Sequence, residues 1–159
     1  MNQAFGSGLS ALEEQNSRRS FLQNSRPKVE SLRPKAGFQM DDRIHFVEHK
    51  GKQILLLDFS HASAAQMQLL LEYVRITVAK HARESLVTFA DFTGAEVDHA
   101  VAMKIKEVLT LDRPFVKKTA WIGAEHIPHA FLENFHNFSQ RDLPTFKSRE
   151  EAMDWLVAE

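Results

Sequence analysis

An α/β domain, built on a mainly parallel, helix-covered sheet of about five strands, is the fold class that three features of the sequence predict. Apolar runs of strand length recur at Gln53–Phe59, Ser85–Phe92 and Phe115–Gly123. Stretches with apolar residues at helical spacing separate them. Residues that cap helices, Ser63, Asp98 and Ser148, stand where each such stretch should begin. Strands joined through helices require crossovers, and right-handed crossovers generate a parallel sheet covered by helices.

Each element follows in order. Arg43–His49 alternates, Lys50-Gly51-Lys52 offers a tight turn, and Gln53–Phe59 holds the solid run Ile54-Leu55-Leu56-Leu57. Alternation followed by an apolar run describes an edge strand paired by a hairpin to a buried one. Ser63-x-x-Gln66 fits a capping box, after which Met67, Leu70, Leu71, Val74 and Val78 predict a helix to about His81. Ser85–Phe92 is the next strand. Asp98 caps a helix whose inward stripe is Val101, Ala102, Ile105, Val108 and Leu109. Pro114 ends that connection and Phe115–Gly123 is a strand. Pro128 suits a first helical turn, with Phe131, Phe135 and Phe138 inward. Leu143–Lys147 is a short last strand, and Ser148-x-x-Glu151 opens a helix with Ala152, Trp155 and Leu156 inward. The predicted order is β-β-α-β-α-β-α-β-α.

Composition narrows the function classes. Twenty Lys and Arg nearly balance 21 Asp and Glu, so no global field favours nucleic acid or membrane. Without cysteine there is no disulfide, thiolate nucleophile or thiolate metal site. No apolar run approaches the roughly 20 residues of a membrane span. The first twenty residues are too polar for a signal peptide, and a cytoplasmic location is expected. Residues 1–40 form a separate segment, in which Arg18, Arg19, Arg26, Lys28, Arg33 and Lys35 oppose only Glu13, Glu14 and Glu30. Few large apolar residues accompany them, so a flexible basic tail is expected, with the domain at 41–159. Any nucleic-acid contact would fall to that tail. A homodimer stays open.

Several spaced motifs carry a resemblance. Leu57-Asp58-Phe59-Ser60, Asp91-Phe92-Thr93-Gly94, Pro114–Ala120, Phe138-Ser139 and Phe146-x-x-Arg149-Glu150-Glu151-Ala152-x-x-Trp155-Leu156 together resemble the SpoIIAA-like (STAS-like) family of small bacterial proteins over about residues 43–157. The resemblance implies the fold of anti-sigma factor antagonists, which bind a partner kinase and are switched by phosphorylation of a serine near a helix N-terminus. This chain departs from them at that point. No serine lies between Asp91 and Val101, Thr93 is the only hydroxyl there, and Asp98 holds the cap position. The phosphoserine switch is therefore not carried over.

In an open parallel sheet, ligands gather at the carboxyl ends of the strands, where helix N-termini also point. That rule selects Asp58, Ser60, Asp91, Thr93, Gly94, Asp98 and His126, together with Gly123 and Ser148. Asp58 and Asp91 could share a proton or a hydrated Mg²⁺-type ion, or each could bond its own turn, the commoner task for Asp. His126, His129, Glu133 and His136 have the 3, 4, 3 spacing of one helix face. That arrangement could ligate Zn²⁺, but a solvated polar face explains it more simply. Lys117 and Lys118 must point to opposite faces of their strand, one of them snorkelling to the sheet margin. No Walker loop, Gly-x-Ser-x-Gly elbow or Gly-x-Gly-x-x-Gly fingerprint occurs, so no cofactor is expected. The expected function is a non-enzymatic regulatory or interaction module that binds a protein partner or small ligand at the carboxyl edge. The alternatives are a carrier or sensor of a small apolar or amphipathic ligand held between helices and sheet, and an enzyme using Asp58 and Asp91.

Overall fold

The computed structural model describes residues 39–158. The expected tail, apart from its last two residues, lies outside them. A short helix α1 (Met40–Arg43), which the pattern did not announce, precedes the first strand and buries Met40. Arg43 ends that helix instead of opening a strand, and its Nη1 donates to the carbonyls of Asp58 (3.3 Å) and Ser60 (2.9 Å). Strands β1 (Ile44–His49) and β2 (Lys52–Asp58) pair antiparallel from Ile44↔Leu57 to His49↔Lys52. The linking Lys50-Gly51 both have positive φ, 51° and 79°, the conformation of a two-residue hairpin turn matched to strand twist.

Three parallel strands complete a five-stranded mixed sheet of order β1-β2-β3-β4-β5: β3 (Leu86–Asp91), β4 (Val116–Ile122) and β5 (Thr145–Phe146). The last is shorter than the expected Leu143–Lys147. The connecting helices are α2 (Ala64–Val78), α3 (His99–Asp112), α4 (His129–Ser139) and α5 (Arg149–Val157).

Strand alternation sorts the apolar residues onto two faces. Ile54, Leu56, Phe89 and Ala120 form one cluster with Ala152, Met153 and Leu156 of α5. Leu57, Ala90 and Trp121 face the other side, with Leu71 and Val74 of α2 and Ile105, Val108 and Leu109 of α3. Phe135 of α4 reaches the same side, its ring 6.0 Å from that of Trp121. Ser63 and Gln66 form the complete capping box of α2. At α5 the Ser148 hydroxyl accepts from Glu151 N (3.2 Å), which is half of the expected box.

Packing departs from the expected stripes at two aromatic residues. Phe138 is half exposed rather than inward, and Lys106 Nζ lies 3.5 Å above its ring. Helical geometry explains this, because Phe135 and Ser139 define the buried line of α4 and Phe138 falls to one side of it. Pro128 is the N-cap rather than a first-turn residue. In α5 the inward trio is Ala152, Met153 and Leu156, while Trp155 is only partly buried. Trp155 instead lies along the sheet margin, its ring 5.8 Å from that of Phe146 and 4.7 Å from Lys118 Nζ.

Candidate functional site at the carboxyl edge

Asp58 and Asp91 close neighbouring parallel strands and pair in register. Each carboxylate ties down its own turn. Asp58 Oδ1 accepts from the Ser60 amide (3.0 Å) and the Ser60 hydroxyl (2.6 Å), and Asp91 Oδ1 accepts from the Thr93 amide (2.9 Å). Turn bonding is the role weighed beside catalysis for both residues, and it is what their geometry shows. Ser60 spends its hydroxyl on Asp58, not on a histidine that could activate it.

The ladder continues past the strands and stitches the loops together. Phe59 N donates to Asp91 O (2.9 Å), His61 N to Thr93 O (2.7 Å) and Phe92 N to Ile122 O (2.9 Å). Glu96 joins the next layer: its amide donates to Ala62 O (2.9 Å), and its Oε2 accepts from Ala64 N (3.0 Å) in the first turn of α2. Two glycines let this layer close. Gly94 (φ 67°) carries the His61 ring against it and Gly123 (φ 70°) sits against Thr93, so a Cβ at either position would collide. His61 itself adopts φ 56° to reach that position. Asp98 caps α3 through Val101 N (2.7 Å), and His126 Nε2 donates to Ala95 O (2.7 Å), locking the β4–α4 loop onto the β3–α3 loop.

Asp58, Ser60, Asp91, Thr93 and Gly94 are thus brought together, with Asp98 and His126 attached to the same loop system. His61 and Glu96 were missed, because nothing local marks a histidine for positive φ or a glutamate for capping a distant helix. The loops after β2, β3 and β4, 59–63, 92–98 and 123–128, contain no Lys or Arg. With the strand ends they present Asp58, Asp91, Glu96, Asp98 and Glu125, of which Glu96, Asp98 and Glu125 are exposed.

The histidine set expected on α4 resolves differently. His129 Nε2 meets Glu133 Oε1 at 3.1 Å on the exposed surface, while His126 is committed to Ala95. Among the described residues no three His, Cys, Asp or Glu side chains converge as a metal site would require. Lys117 is exposed, whereas Lys118 snorkels along the α5 face to the carbonyls of Trp155 (3.3 Å) and Ala158 (3.0 Å).

A second polar feature lies inside the domain and was not singled out. A cavity of about 40 Å³ runs between the sheet and helices α2 and α3, and Asp112 and Arg141 are among its lining residues. Thr88 and Thr119 share a 2.9 Å hydrogen bond in its wall. Burial pushes the Asp112 carboxyl up to about 7, with Arg141 opposing that shift electrostatically. No helix among the described residues is long and apolar enough to cross a membrane. The chain matches no protein-family model, no curated protein and no solved structure.

Proposed function

We propose that this protein is a non-enzymatic interaction module of the STAS-like kind, and that the strand carboxyl edge docks a basic segment of a protein partner. The observation that carries this is the rim itself: Asp58 and Asp91 at the strand ends, with Glu96, Asp98 and Glu125 on the loops after β3 and β4, which lack Lys and Arg and are held by backbone bonds that cross from loop to loop. Arg43 of α1 bonds the carbonyls at the β2 end of this rim, and the carboxylates outnumber it. A surface predominantly of one sign steers an oppositely charged partner and sets its register. Loops already fixed in place lose little entropy on binding. The hydrogen-bond inventory at Ser60, Asp58 and Asp91 favours scaffolding over catalysis. The alternative, a carrier or sensor of a small apolar or amphipathic ligand held between helices and sheet, is confined to very small ligands, since the interior cavity of about 40 Å³ is far below the roughly 300–1,000 Å³ of ordinary ligand pockets.

The test replaces charge and keeps shape. In the double variant Asp58→Asn, Asp91→Asn, the amide oxygens still accept from Ser60 N and Thr93 N. Its melting temperature should stay within about 2 °C, corresponding to a few tenths of a kcal/mol. A photo-crosslinking side chain at exposed, uncharged position 100, in the first turn of α3 beside the rim, should capture a partner in cells when all five rim carboxylates are present. The yield should fall at least tenfold in the double variant and decline with salt. Undiminished, salt-insensitive capture by the double variant would overturn the docking assignment. So would its unfolding, which would leave both aspartates as turn scaffolds only.

A further inference from the structure

The interior cavity is independent of the rim and presents a different chemistry. Its walls are largely apolar, with Leu71 and Val74 from α2 and Ile105 and Val108 from α3. Arg141, from the α4–β5 loop, sends its guanidinium among them. Arg141 Nε and Nη1 are both shut off from solvent, and neither has a hydrogen-bond partner. Asp112, the last residue of α3, acts on Arg141 through space but does not satisfy those two donors. Two of the guanidinium's three nitrogens therefore face an apolar space without an acceptor, a state folded proteins seldom leave uncompensated.

We propose that the cavity between the sheet and helices α2 and α3 is a binding site for a short-chain carboxylate. The carboxylate oxygens would accept from Arg141, the charge-assisted pairing guanidinium favours. Asp112 lines the same cavity, and where burial keeps its carboxyl protonated its O–H can donate a hydrogen bond to the ligand. The alkyl end would lie among Val74, Ile105 and Val108. About 40 Å³ holds only a few water-sized groups, at roughly 10–15 Å³ each, so the ligand is of acetate or propionate size. Phosphate and sulfate carry more charge than one guanidinium in apolar surroundings can offset.

Methyl-resolved NMR of the full chain, titrated with sodium acetate, propionate and hexanoate and with propionamide and 1-propanol, tests this. Acetate or propionate should give saturable shifts at the Val74, Ile105 and Val108 methyls. Propionamide, 1-propanol and hexanoate should bind at least tenfold more weakly, and Arg141→Met should reduce propionate affinity at least tenfold. Should Arg141→Met fail to fold, the propionate-to-propionamide ratio on the unaltered protein decides alone. Absence of saturable shifts means that the space holds water only and overturns the proposal. Equal affinity for propionamide, or undiminished propionate binding in a folded Arg141→Met, overturns it as well.

Discussion

The two faces of the sheet handle buried charge in opposite ways. On the α5 face the charge is Lys118, whose long stem runs beneath Trp155 until its ammonium reaches the carbonyls of Trp155 and Ala158. Those carbonyls belong to the C-terminal end of α5, where carbonyls can accept from outside the helix and the helix dipole favours a cation. On the face covered by α2 and α3, Asp112 is buried and the partly buried Arg141 turns two guanidinium nitrogens inward, where they remain without partners. Reach separates Lys118 from Asp112. A flexible lysine escapes to a helix end, whereas a short carboxyl fixed at the last residue of α3 stays where the backbone puts it.

Removing bulk from the closed face should have the largest effect. Phe89 is 1 % exposed within the α5 cluster, and Phe89→Ala should cost about 3–5 kcal/mol in denaturant unfolding. A loss below about 1.5 kcal/mol would mean that the α5 face collapses around the void, and is less tightly packed than its burial indicates.

Charge on the open face comes next, and its signature is pH. The folded Asp112 pKa of about 7 exceeds its ordinary 3.8, so the folded protein keeps a proton that the unfolded chain releases. This contribution is complete below about pH 4 and is lost as pH rises towards and through 7, with a ceiling on the order of 4 kcal/mol. Asp112→Asn should therefore be near neutral below about pH 4, stabilising by about 1–2 kcal/mol at pH 5 and by up to about 4 kcal/mol at pH 8, measured by urea midpoints at each value. Identical pH profiles for the two proteins would show that Asp112 ionises freely. Glu72 works in the opposite sense. Arg75, and then Lys104, hold its carboxyl down at about 2, so its contribution is present above about pH 4.5 and fades as pH falls towards 2.

Trp155→Ala sharpens the contrast on the closed face. Trp155 is partly buried and covers the Lys118 stem, so its loss should cost about 1–2.5 kcal/mol, below the range for a core aromatic. Most of that cost should vanish when Lys118→Met accompanies it, because the lysine then no longer needs a sheltered path. A double-mutant cycle with no coupling would separate the two residues.

The smallest effect belongs to the helix caps. Ser63→Ala removes both the acceptor for Gln66 N and the geometry of a full capping box, and should cost about 1 kcal/mol. Ser148→Ala, at the half-formed box of α5, should cost less. Thermal melts of the two variants measure the difference, and a reversed order would show that α5 depends on its cap more than on its packing.

Local chemistry made most of this architecture legible. A capping serine, an apolar stripe at helical spacing and a strand-length apolar run are short-range signals, and they located α2, α3, β2 and β3 to within a few residues. The signal weakened where neighbours decide. β5 is two residues long because only Thr145 and Phe146 find partners on β4, and Phe138 is exposed because the line of α4 was set by Phe135 and Ser139. At the carboxyl edge Asp58, Ser60, Asp91, Thr93 and Gly94 were legible as turn residues ending strands. His61, Glu96 and the Asp112–Arg141 cavity were not, since each acquires its role from residues 29 or more positions away.

Alone, the sequence determined the class of fold, the order of its main strands and helices, and the end of the sheet at which polar loops collect. Those properties depend on hydrogen-bonding periodicity and on which side chains can cap or turn a chain, and both act over a few residues. The tertiary structure decided which loops knit into the acidic rim, which lysine escapes to a helix end and which arginine turns two nitrogens into an apolar cavity. Burial and partner distance exist only once remote segments pack, so the physical state of Arg141 and Asp112 was not determined until α3, β4 and the loop after α4 met.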